Sequence, residues 1–327
     1  MIPRRIVLTG LGGLAVATAA YFVGAFRAAK VSTDVRLAMR SNVIKTSAGA
    51  LEYAVAGRGP PLMMIHGTGG GFDQGLLFAH GLREAGMQIV APSRFGYLRS
   101  AFPDDASPAH QADVLADLLD HLGIDRLAVA GGSAGASTAA EFALRHPDRC
   151  SALILIVPAA NLTGRDPVEF TALQRFVVET VLNSDAWFWA LAALAPNQLI
   201  RTLLATDPAL LDRVSAQERH RARLILDGLM PISLKGDGLR NDGFWSGTPS
   251  PTAFEQITVP TLILSCEDDL FGTADTARLL VERIPDAELT IYLTGGHLWL
   301  GRDPEVAERI SDFIRETATG SISGENQ

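Results

Sequence analysis

Residues 127–136 read LAVAGGSAGA, in which a short apolar run meets a serine set between glycines. The apolar run predicts a buried β-strand, and the residues after Ala134 predict a helix. A serine at such a strand-to-helix turn is typical of a nucleophile elbow, where glycines are needed because neighbouring Cβ atoms would clash. An ordinary glycine turn can have the same sequence, but the strand before it and the helix after it favour the catalytic turn. Ser133 is therefore the candidate nucleophile.

A glycine-rich loop, HGTGGG at residues 66–71, follows a second apolar run at residues 62–65. Glycines let backbone N–H groups approach a substrate oxygen, and each such donor stabilises the transition state by about 3 kcal/mol. We expect the oxyanion donors to be the backbone amides of Thr68 and Ala134. A phosphate-binding loop is disfavoured because no Lys-Ser or Lys-Thr pair follows the glycines. His66 is expected to be structural.

The candidate acid and base follow the last two predicted strands. Asp268 and Asp269 come after the apolar run at residues 261–264, and His297 comes after the run at residues 289–293. The base must take the proton of Ser133, while the acid must fix the imidazole tautomer and stabilise its cation. Only one of the two aspartates can do this, and the residues alone leave both open.

Strand-like and helix-like segments alternate along the body of the chain. The first two strand candidates flank the short turn at residues 47–50 and predict a hairpin. The alternation predicts an α/β fold with a mostly parallel, eight-stranded sheet and helices on both faces. The predicted strands are 43–46, 51–56, 62–65, 88–91, 127–130, 153–157, 261–264 and 289–293. The predicted helices are 107–122, 134–146, 273–284 and 304–317.

A long segment interrupts this alternation at residues 161–257. It shows no comparable strand pattern and is far too long for a loop in a compact domain, so it predicts a helical cap. The core then comprises residues 31–160 and 258–318, and the Gly/Ser-rich tail at 319–327 is predicted to be disordered. Aromatic side chains of a helical cap more often form its own core, but they also suggest an apolar or aromatic substrate. The candidate substrate-binding residues are Trp187, Trp189, Trp245 and Trp299.

The N-terminal segment, residues 1–30, has a different composition from the body. Two arginines precede a charge-free run at residues 6–26, and two basic residues follow it. A membrane-spanning helix needs about 20 apolar residues, and basic residues before the run place the body outside the cytoplasm. We therefore expect a membrane anchor with an extracytoplasmic catalytic body. A cleaved export signal, giving a secreted or periplasmic protein, and a helix of a cytosolic protein are the alternatives.

Composition limits the remaining possibilities. The chain has 327 residues, of which 47% are hydrophobic and 20% charged, so it can bury a large core as one catalytic domain with an insertion. A net charge of -8 argues against a nucleic-acid-binding surface. No Cys/His spacing resembles a zinc site, and we expect no metal or other cofactor. Cys150 and Cys266 should lie at opposite ends of neighbouring strands, too far apart for a disulfide.

These motifs resemble the α/β-hydrolase family, in its esterase and carbon–carbon hydrolase branch, over about residues 47–316 except in the cap. The family uses the chain order of nucleophile, acid and base that is found here. Its acid usually stands three residues after a strand-end glycine, a position held here by Cys266, so the resemblance implies Asp269 rather than Asp268. The matching segments are HGTGGG (66–71), GGSAGA (131–136) with FALRHPDR (142–149), PTLILSCEDD (260–269) and GGHLWLGRDPEVAERISDFI (295–314).

Two departures from the family bear on the expected chemistry. The family's D-x-x-G-x-G-x-S turn is replaced by SRFGYLRS at residues 93–100, which lacks the Asp and the second Gly. The carbon–carbon hydrolases often follow the catalytic His with Trp, whereas Leu298 stands here before Trp299. These differences favour ester hydrolysis over carbon–carbon cleavage.

The resemblance implies a serine hydrolase that cleaves carboxylic esters of small apolar or aromatic substrates through an acyl-enzyme. The alternatives are a carbon–carbon hydrolase of the meta-cleavage-product type, a cofactor-free haloperoxidase or perhydrolase, and an acyltransferase. Haloalkane dehalogenases and epoxide hydrolases of this fold need an Asp nucleophile, which position 133 does not provide. A non-enzymatic binding protein would be expected to lose part of the triad, and none is lost. The expected partner is a small ester-type molecule.

Overall fold

An eight-stranded sheet forms the centre of the molecule. The computed structural model describes residues 4–38, 41–162 and 184–324. In these residues the strand order is β1-β2-β4-β3-β5-β6-β7-β8, with β2 antiparallel to its two neighbours and the other pairs parallel. The predicted fold, with a mostly parallel eight-stranded sheet, is therefore confirmed. The strands are β1 Asn42–Thr46, β2 Gly49–Ala56, β3 Pro61–Ile65, β4 Gln88–Pro92, β5 Leu127–Gly132, β6 Cys150–Ile156, β7 Thr261–Cys266 and β8 Ala287–Tyr292.

Eleven α-helices accompany the sheet in the described part of the chain. The bounds of α4 follow from its sequence, because the Ser107 side chain accepts a hydrogen bond from the His110 N–H and Gly123 ends the helix in the left-handed conformation. The helices are α1 Arg4–Ala38, α2 Phe72–Phe78, α3 His80–Glu84, α4 Pro108–Leu122, α5 Gly135–Arg145, α6 Asp185–Leu194, α7 Pro196–Leu203, α8 Ala216–Gly228, α9 Gly236–Gly247, α10 Thr273–Arg283 and α11 Asp303–Gly324.

Helices cover both faces of the sheet, which explains why the central strands are continuous apolar runs. Every residue of β5 and β7 is buried. One buried cluster joins the sheet to α4, α5 and α10, and a second joins its other face to α2, α3 and α11. Cys150 begins β6 and Cys266 ends the adjacent β7, so the two thiols lie at opposite ends of neighbouring strands. The carboxyl ends of the parallel strands meet at one edge, where the candidate site residues follow them.

A third buried cluster lies within the segment predicted to be a cap. The described part of this segment forms α6 to α9, and residues 163–183 lie outside the described residues. Phe188, Ile200 and Ile225 pack together with Leu298 and Leu300 from the loop after β8. The helices therefore pack directly against the loop that carries His297.

The N-terminal apolar run belongs to a longer helix of mixed character. Residues 6–26 lie in α1, which continues through the charged side chains of Arg27, Lys30 and Arg36. Glycine and threonine residues dilute the run, and among the described residues no helix is long and apolar enough to cross a membrane. The predicted membrane anchor is therefore wrong, and the extracytoplasmic placement of the body, which was inferred from that anchor, is not supported. The alternative of an export signal drew on the same run and is not supported.

The two chain ends differ in detail from the predicted boundaries. Helix α1 passes residue 30 without a break and contacts the rest of the molecule. Arg36 donates hydrogen bonds to the Asp73 carboxylate and the Met230 carbonyl, while Phe26 packs on Trp189 with 5.6 Å between ring centroids. Helix α11 runs to Gly324, into the tail that was predicted to be disordered, and residues 325–327 lie outside the described residues.

Candidate active site

The turn between β5 and α5 places Ser133 above the carboxyl edge of the sheet. Ser133 has a φ of 53°, a left-handed conformation that is uncommon for a residue with a side chain. The residues two positions before and after it must be glycines. A Cβ at Gly131 would lie 2.4 Å from the Gly135 carbonyl oxygen, and a Cβ at Gly135 would lie 2.5 Å from the Ile65 carbonyl oxygen. The G-x-S-x-G pattern is thus a steric requirement of this turn.

The structure brings Ser133, His297 and Asp269 into one hydrogen-bonded chain. The Nε2 atom of His297 lies 2.9 Å from Ser133 Oγ, and its Nδ1 lies 2.8 Å from Asp269 Oδ2. His297 and Asp269 are buried, at 8% and 5% exposed, whereas Ser133 is only partly buried, so the serine is the most accessible of the three. This geometry allows Ser133 to transfer a proton to His297 while Asp269 stabilises the resulting cation.

The two adjacent aspartates have different partners. Asp269 also accepts hydrogen bonds from the Thr273 hydroxyl and from the Phe271 N–H, the latter at 2.8 Å. Burial opposes its ionisation, but the His297 ring and these hydrogen bonds lower the pKa of Asp269 below its usual value. Asp268 instead accepts from the backbone N–H groups of Gly295 and Gly296, at 3.3 and 2.7 Å. Asp268 therefore holds the loop before His297 and does not contact its ring.

The glycine-rich loop lies beside Ser133. A Cβ at Gly67 would lie only 3.1 Å from Ser133 Cβ, so the loop passes close to the nucleophile at the residue before Thr68. Thr68 is exposed, and among the described residues neither its backbone N–H nor that of Ala134 forms a hydrogen bond. Both predicted donors are thus free to bind a substrate oxygen, as an oxyanion hole requires.

His66 is buried beneath the glycine-rich loop and stabilises it through hydrogen bonds. It is fully buried, its Nδ1 lies 2.7 Å from the Gly67 carbonyl oxygen, and its Nε2 accepts from the Arg94 N–H at 2.9 Å. These partners fix the tautomer with hydrogen on Nδ1. Burial, and then the charge of Arg94, hold the pKa of His66 well below its usual value, so the ring stays neutral. The residue has the structural environment expected from the sequence.

A small cavity lies beside Ala134, between the core and α9. Its volume is about 20 Å³, and the lining includes Phe95, Gln111 and Trp245. The Nε2 of Gln111 is buried without a hydrogen-bond partner among the described residues. Arg94 is the cationic side chain among the described residues that line the cavity. Both its terminal nitrogens pair with the Asp242 carboxylate, at 2.6 and 2.7 Å. The cavity has room for about one water-sized group.

The four candidate tryptophans occupy four different environments. Trp245 lines the cavity beside Ala134. Trp187 is 67% exposed, and Trp189 packs on Phe26 of α1. Trp299 is 2% exposed and donates from Nε1 to Asp303 at 3.0 Å, which makes it a core residue. The structure therefore brings only Trp245 of this predicted set to the described cavity.

Several residues around the site were not found from the sequence. Asp242 pairs with Arg94, the Tyr97 hydroxyl donates to Asp242, and Lys235 donates to the Gly69 carbonyl of the oxyanion loop. They belong to two segments far apart in the chain and carry no motif, so only the fold brings them together. Among the described residues no group of three His, Cys, Asp or Glu could hold a metal ion.

The comparisons with known proteins agree with this geometry. The sequence model of the alpha/beta hydrolase fold family matches residues 60–302. The uncharacterized hydrolase YcgS of Bacillus subtilis is 27% identical over 272 residues, which cover 81% of this chain and 94% of that protein. The 2-hydroxy-6-oxo-6-phenylhexa-2,4-dienoate hydrolase of Burkholderia cepacia is 27% identical over 273 residues, covering 79% and 89%.

A solved structure is similar over the same part of the chain. The alpha/beta hydrolase fold protein from Nakamurella multipartita has a TM-score of 0.70 and 26% sequence identity, and the match covers 84% of this chain and 99% of that one. The chain belongs to the α/β-hydrolase family and is an enzyme of that family.

Proposed function

We propose that the protein hydrolyses a carbonyl compound through a covalent acyl intermediate on Ser133. The observation that carries the proposal is the unbroken hydrogen-bonded chain from Ser133 Oγ through His297 to Asp269, with distances of 2.9 and 2.8 Å. A serine hydroxyl becomes a competent nucleophile when an adjacent base accepts its proton. The free backbone N–H groups of Thr68 and Ala134 complement this chain, because they can stabilise the oxyanion that forms next.

The proposed reaction has two half-reactions that share these groups. Ser133 Oγ attacks the carbonyl carbon while its proton passes to His297 Nε2, and Asp269 stabilises the imidazolium. The tetrahedral oxyanion accepts hydrogen bonds from Thr68 and Ala134, and its collapse expels the leaving group, which takes the proton from His297. A water molecule then attacks the acyl-enzyme with His297 as base, and release of the acid restores Ser133.

Carbon–carbon cleavage is the first candidate for the bond that breaks. The relative from Burkholderia cepacia acts on 2-hydroxy-6-oxo-6-phenylhexa-2,4-dienoate, an aryl ketone, and the similarity covers 79% of this chain. This similarity supports the carbon–carbon alternative over the ester hydrolysis expected from the sequence. The chemistry differs from ester hydrolysis because the dienol must first tautomerise to its keto form. The carbon leaving group can then depart as a conjugated dienolate, which is protonated afterwards.

Ester hydrolysis is the second candidate, and the described cavity favours it. A dienoate substrate carries a carboxylate, which needs a cationic or hydrogen-bonding partner when it leaves water. Arg94, the cation in the described lining, is already paired with Asp242 through both terminal nitrogens. The described lining therefore offers such a carboxylate a neutral donor, Gln111 Nε2, but no unpaired cation. The cavity itself holds only a water-sized group, but Phe95 and Trp245 in its lining offer apolar and aromatic surface near Ala134 that suits an uncharged ester.

A paired assay separates the two candidates. The wild-type enzyme is tested with 2-hydroxy-6-oxo-6-phenylhexa-2,4-dienoate and with p-nitrophenyl benzoate, which would give the same benzoyl-enzyme. Carbon–carbon hydrolysis predicts a kcat/KM for the ketone at least ~10-fold above that for the ester. The opposite ratio would assign ester hydrolysis.

The nucleophile is tested in the same assay. Ser133→Ala should abolish both activities and labelling by a fluorophosphonate probe, because no hydroxyl remains to attack the substrate or the probe. Labelling that persists in this variant would refute the assignment of Ser133. Added alcohol acceptors report whether acyl transfer competes with hydrolysis.

A further inference from the structure

Gly69 is the residue after the candidate oxyanion donor Thr68, and cap residues hold it from several sides. Its φ of +75° is left-handed, and a Cβ there would lie 2.6 Å from a methyl group of Leu229. Its N–H donates to the Tyr97 hydroxyl at 3.2 Å, and its carbonyl accepts from Lys235 Nζ at 2.8 Å. Both polar groups of this residue are thus bound by side chains.

Lys235 is a buried cation whose hydrogen bonds join the cap to the oxyanion loop. It lies directly before α9 and is 0% exposed. Besides the Gly69 carbonyl, its Nζ donates to the Gly228 carbonyl at the end of α8, at 2.7 Å. A fully buried ammonium group is costly unless it is hydrogen-bonded, so this position is a specific use of lysine rather than a surface charge.

The second contact on Gly69 also depends on α9. Tyr97 belongs to the core, but its hydroxyl donates to Asp242 Oδ2 at 2.5 Å, and Asp242 lies within α9. The backbone adds two links between the same segments, since the Gly238 N–H donates to the Gly96 carbonyl and the Leu98 N–H donates to the Leu234 carbonyl. Backbone hydrogen bonds therefore hold the start of α9 against the loop after β4.

Charged groups on several neighbouring elements affect the pKa of Lys235. Asp73 of α2, Glu52 of β2 and Asp185 of α6 favour its charged form, whereas Arg36 of α1 opposes it. Burial has the largest effect and lowers the pKa of Lys235 to about 8. The ammonium form, which donates stronger hydrogen bonds than the neutral amine, predominates below that pH.

We propose that Lys235 and Tyr97 are positioning residues that clamp Gly69 and thereby hold the Thr68 N–H where the oxyanion forms. The inference rests on the proposed function and adds that the cap controls the geometry of the oxyanion loop. The oxyanion carries its charge only in the transition state and the tetrahedral intermediate, so a looser loop lowers kcat while substrate binding changes little.

The test compares full-length Lys235→Met and Tyr97→Phe with the wild type and with Lys45→Met, which alters an exposed lysine on β1. Lys235→Met keeps an unbranched apolar stem but removes the ammonium group and its donors, and Tyr97→Phe removes only the hydroxyl. Because removing an oxyanion donor costs ~10²–10³ in kcat, displacing it should cost ~10–100-fold in each variant, with KM within ~3-fold of wild type. Lys45→Met should leave kcat unchanged.

A second readout is the pH profile. Wild-type kcat should decrease above pH 8 as the Lys235 ammonium loses its proton, and this decrease should be absent in Lys235→Met. Thermal unfolding identifies any variant that does not fold. If Lys235→Met does not fold, the kinetics of Tyr97→Phe and the wild-type pH profile test the clamp instead.

Two results would overturn the clamp. One is folded variants whose kcat stays within about twofold of wild type. The other is a loss confined to KM, which would assign Lys235 to substrate binding. Failure of the proposed function is a different result: the wild type then shows no turnover that depends on Ser133, as the Ser133→Ala control reveals.

Discussion

Ser133 has a left-handed backbone conformation that three backbone hydrogen bonds hold in place. Its N–H donates to the Ile156 carbonyl of β6 at 2.9 Å, and its carbonyl accepts from the Ala136 N–H at 3.0 Å and from the Ala159 N–H at 3.2 Å. A non-glycine residue at positive φ costs about 1–3 kcal/mol and persists only when its surroundings determine it. These contacts provide that constraint and aim Oγ at His297.

Asp269 and Asp268 give a residue-scale prediction because they are adjacent and differ in what they bind. Asp269→Asn should lower kcat by ~10⁴, since an amide cannot stabilise the imidazolium and favours the wrong tautomer. Asp268→Asn should cost less than ~10-fold, because the amide oxygen can still accept from Gly296. Steady-state kinetics of the two variants decide the matter. If the larger loss falls on Asp268, the assignment of the acid is wrong.

The sequence predicted the residues whose roles depend on local motifs and missed those whose roles depend on the tertiary fold. Ser133 could be placed because its glycines and its strand-helix context are contiguous. Lys235 lies 166 residues from Gly69, so no sequence pattern connects them. Trp299 was assigned to substrate binding because tryptophan suits an aromatic pocket, but its edge-to-face contact with Phe78 and its hydrogen bond to Asp303 place it in the core.

At the scale of secondary-structure elements, the sequence predictions were most accurate for the strands, because burial alone sets their apolar pattern. The central strands are apolar runs that helices cover, and all eight strands were predicted, with bounds that differ by a few residues. Helices α2 and α3 were missed because they are short and directly follow the glycine-rich loop. The membrane anchor was predicted from hydrophobicity alone, without knowledge that the same helix carries Arg36 to the Asp73 carboxylate.

Two glycines test the steric account of the β5–α5 turn. Gly135→Ala should destabilise the protein by about 1–3 kcal/mol, because the new Cβ would contact two backbone carbonyl oxygens and the backbone must shift. The matched control is Gly243→Ala in α9, where a Cβ would meet nothing within 4 Å. That change should stabilise the protein by about 0.5–1 kcal/mol through helix propensity. Urea denaturation measures both, and equal effects would contradict the steric requirement.

At the scale of the whole molecule, charged side chains connect the core and the cap, whose hydrophobic clusters are otherwise separate. The sheet has a cluster on each face, and the cap helices have their own. The buried pair of Arg94 with Asp242 crosses between these parts, and so do the hydrogen bonds of the partly buried Arg36 to the Asp73 carboxylate and the Met230 carbonyl. Breaking a buried pair by removing one partner costs about 3–5 kcal/mol. The cap and core should therefore unfold together.

Lys235 gives this connected molecule a distinctive dependence of stability on pH. Its pKa is lowered from 10.5 to about 8, chiefly by burial, so between these values the unfolded chain binds more protons than the folded one. The free energy of unfolding must then rise with pH across that window, by about 3 kcal/mol from this group. Cys150 and Cys266 act in the opposite direction, since burial raises the pKa of each thiol to about 12.

The Lys235 contribution is therefore measured as a difference. Urea unfolding of the wild type and of Lys235→Met at pH 7.5, 9 and 10.5 cancels the shared thiol effect, because both proteins keep the two cysteines. The wild type should gain stability relative to the variant as pH rises from 8 to 10.5, since the buried ammonium is relieved of its charge in the folded state. A difference that stays flat across this range would mean that Lys235 keeps its usual pKa, and that its site is better hydrated than its burial implies.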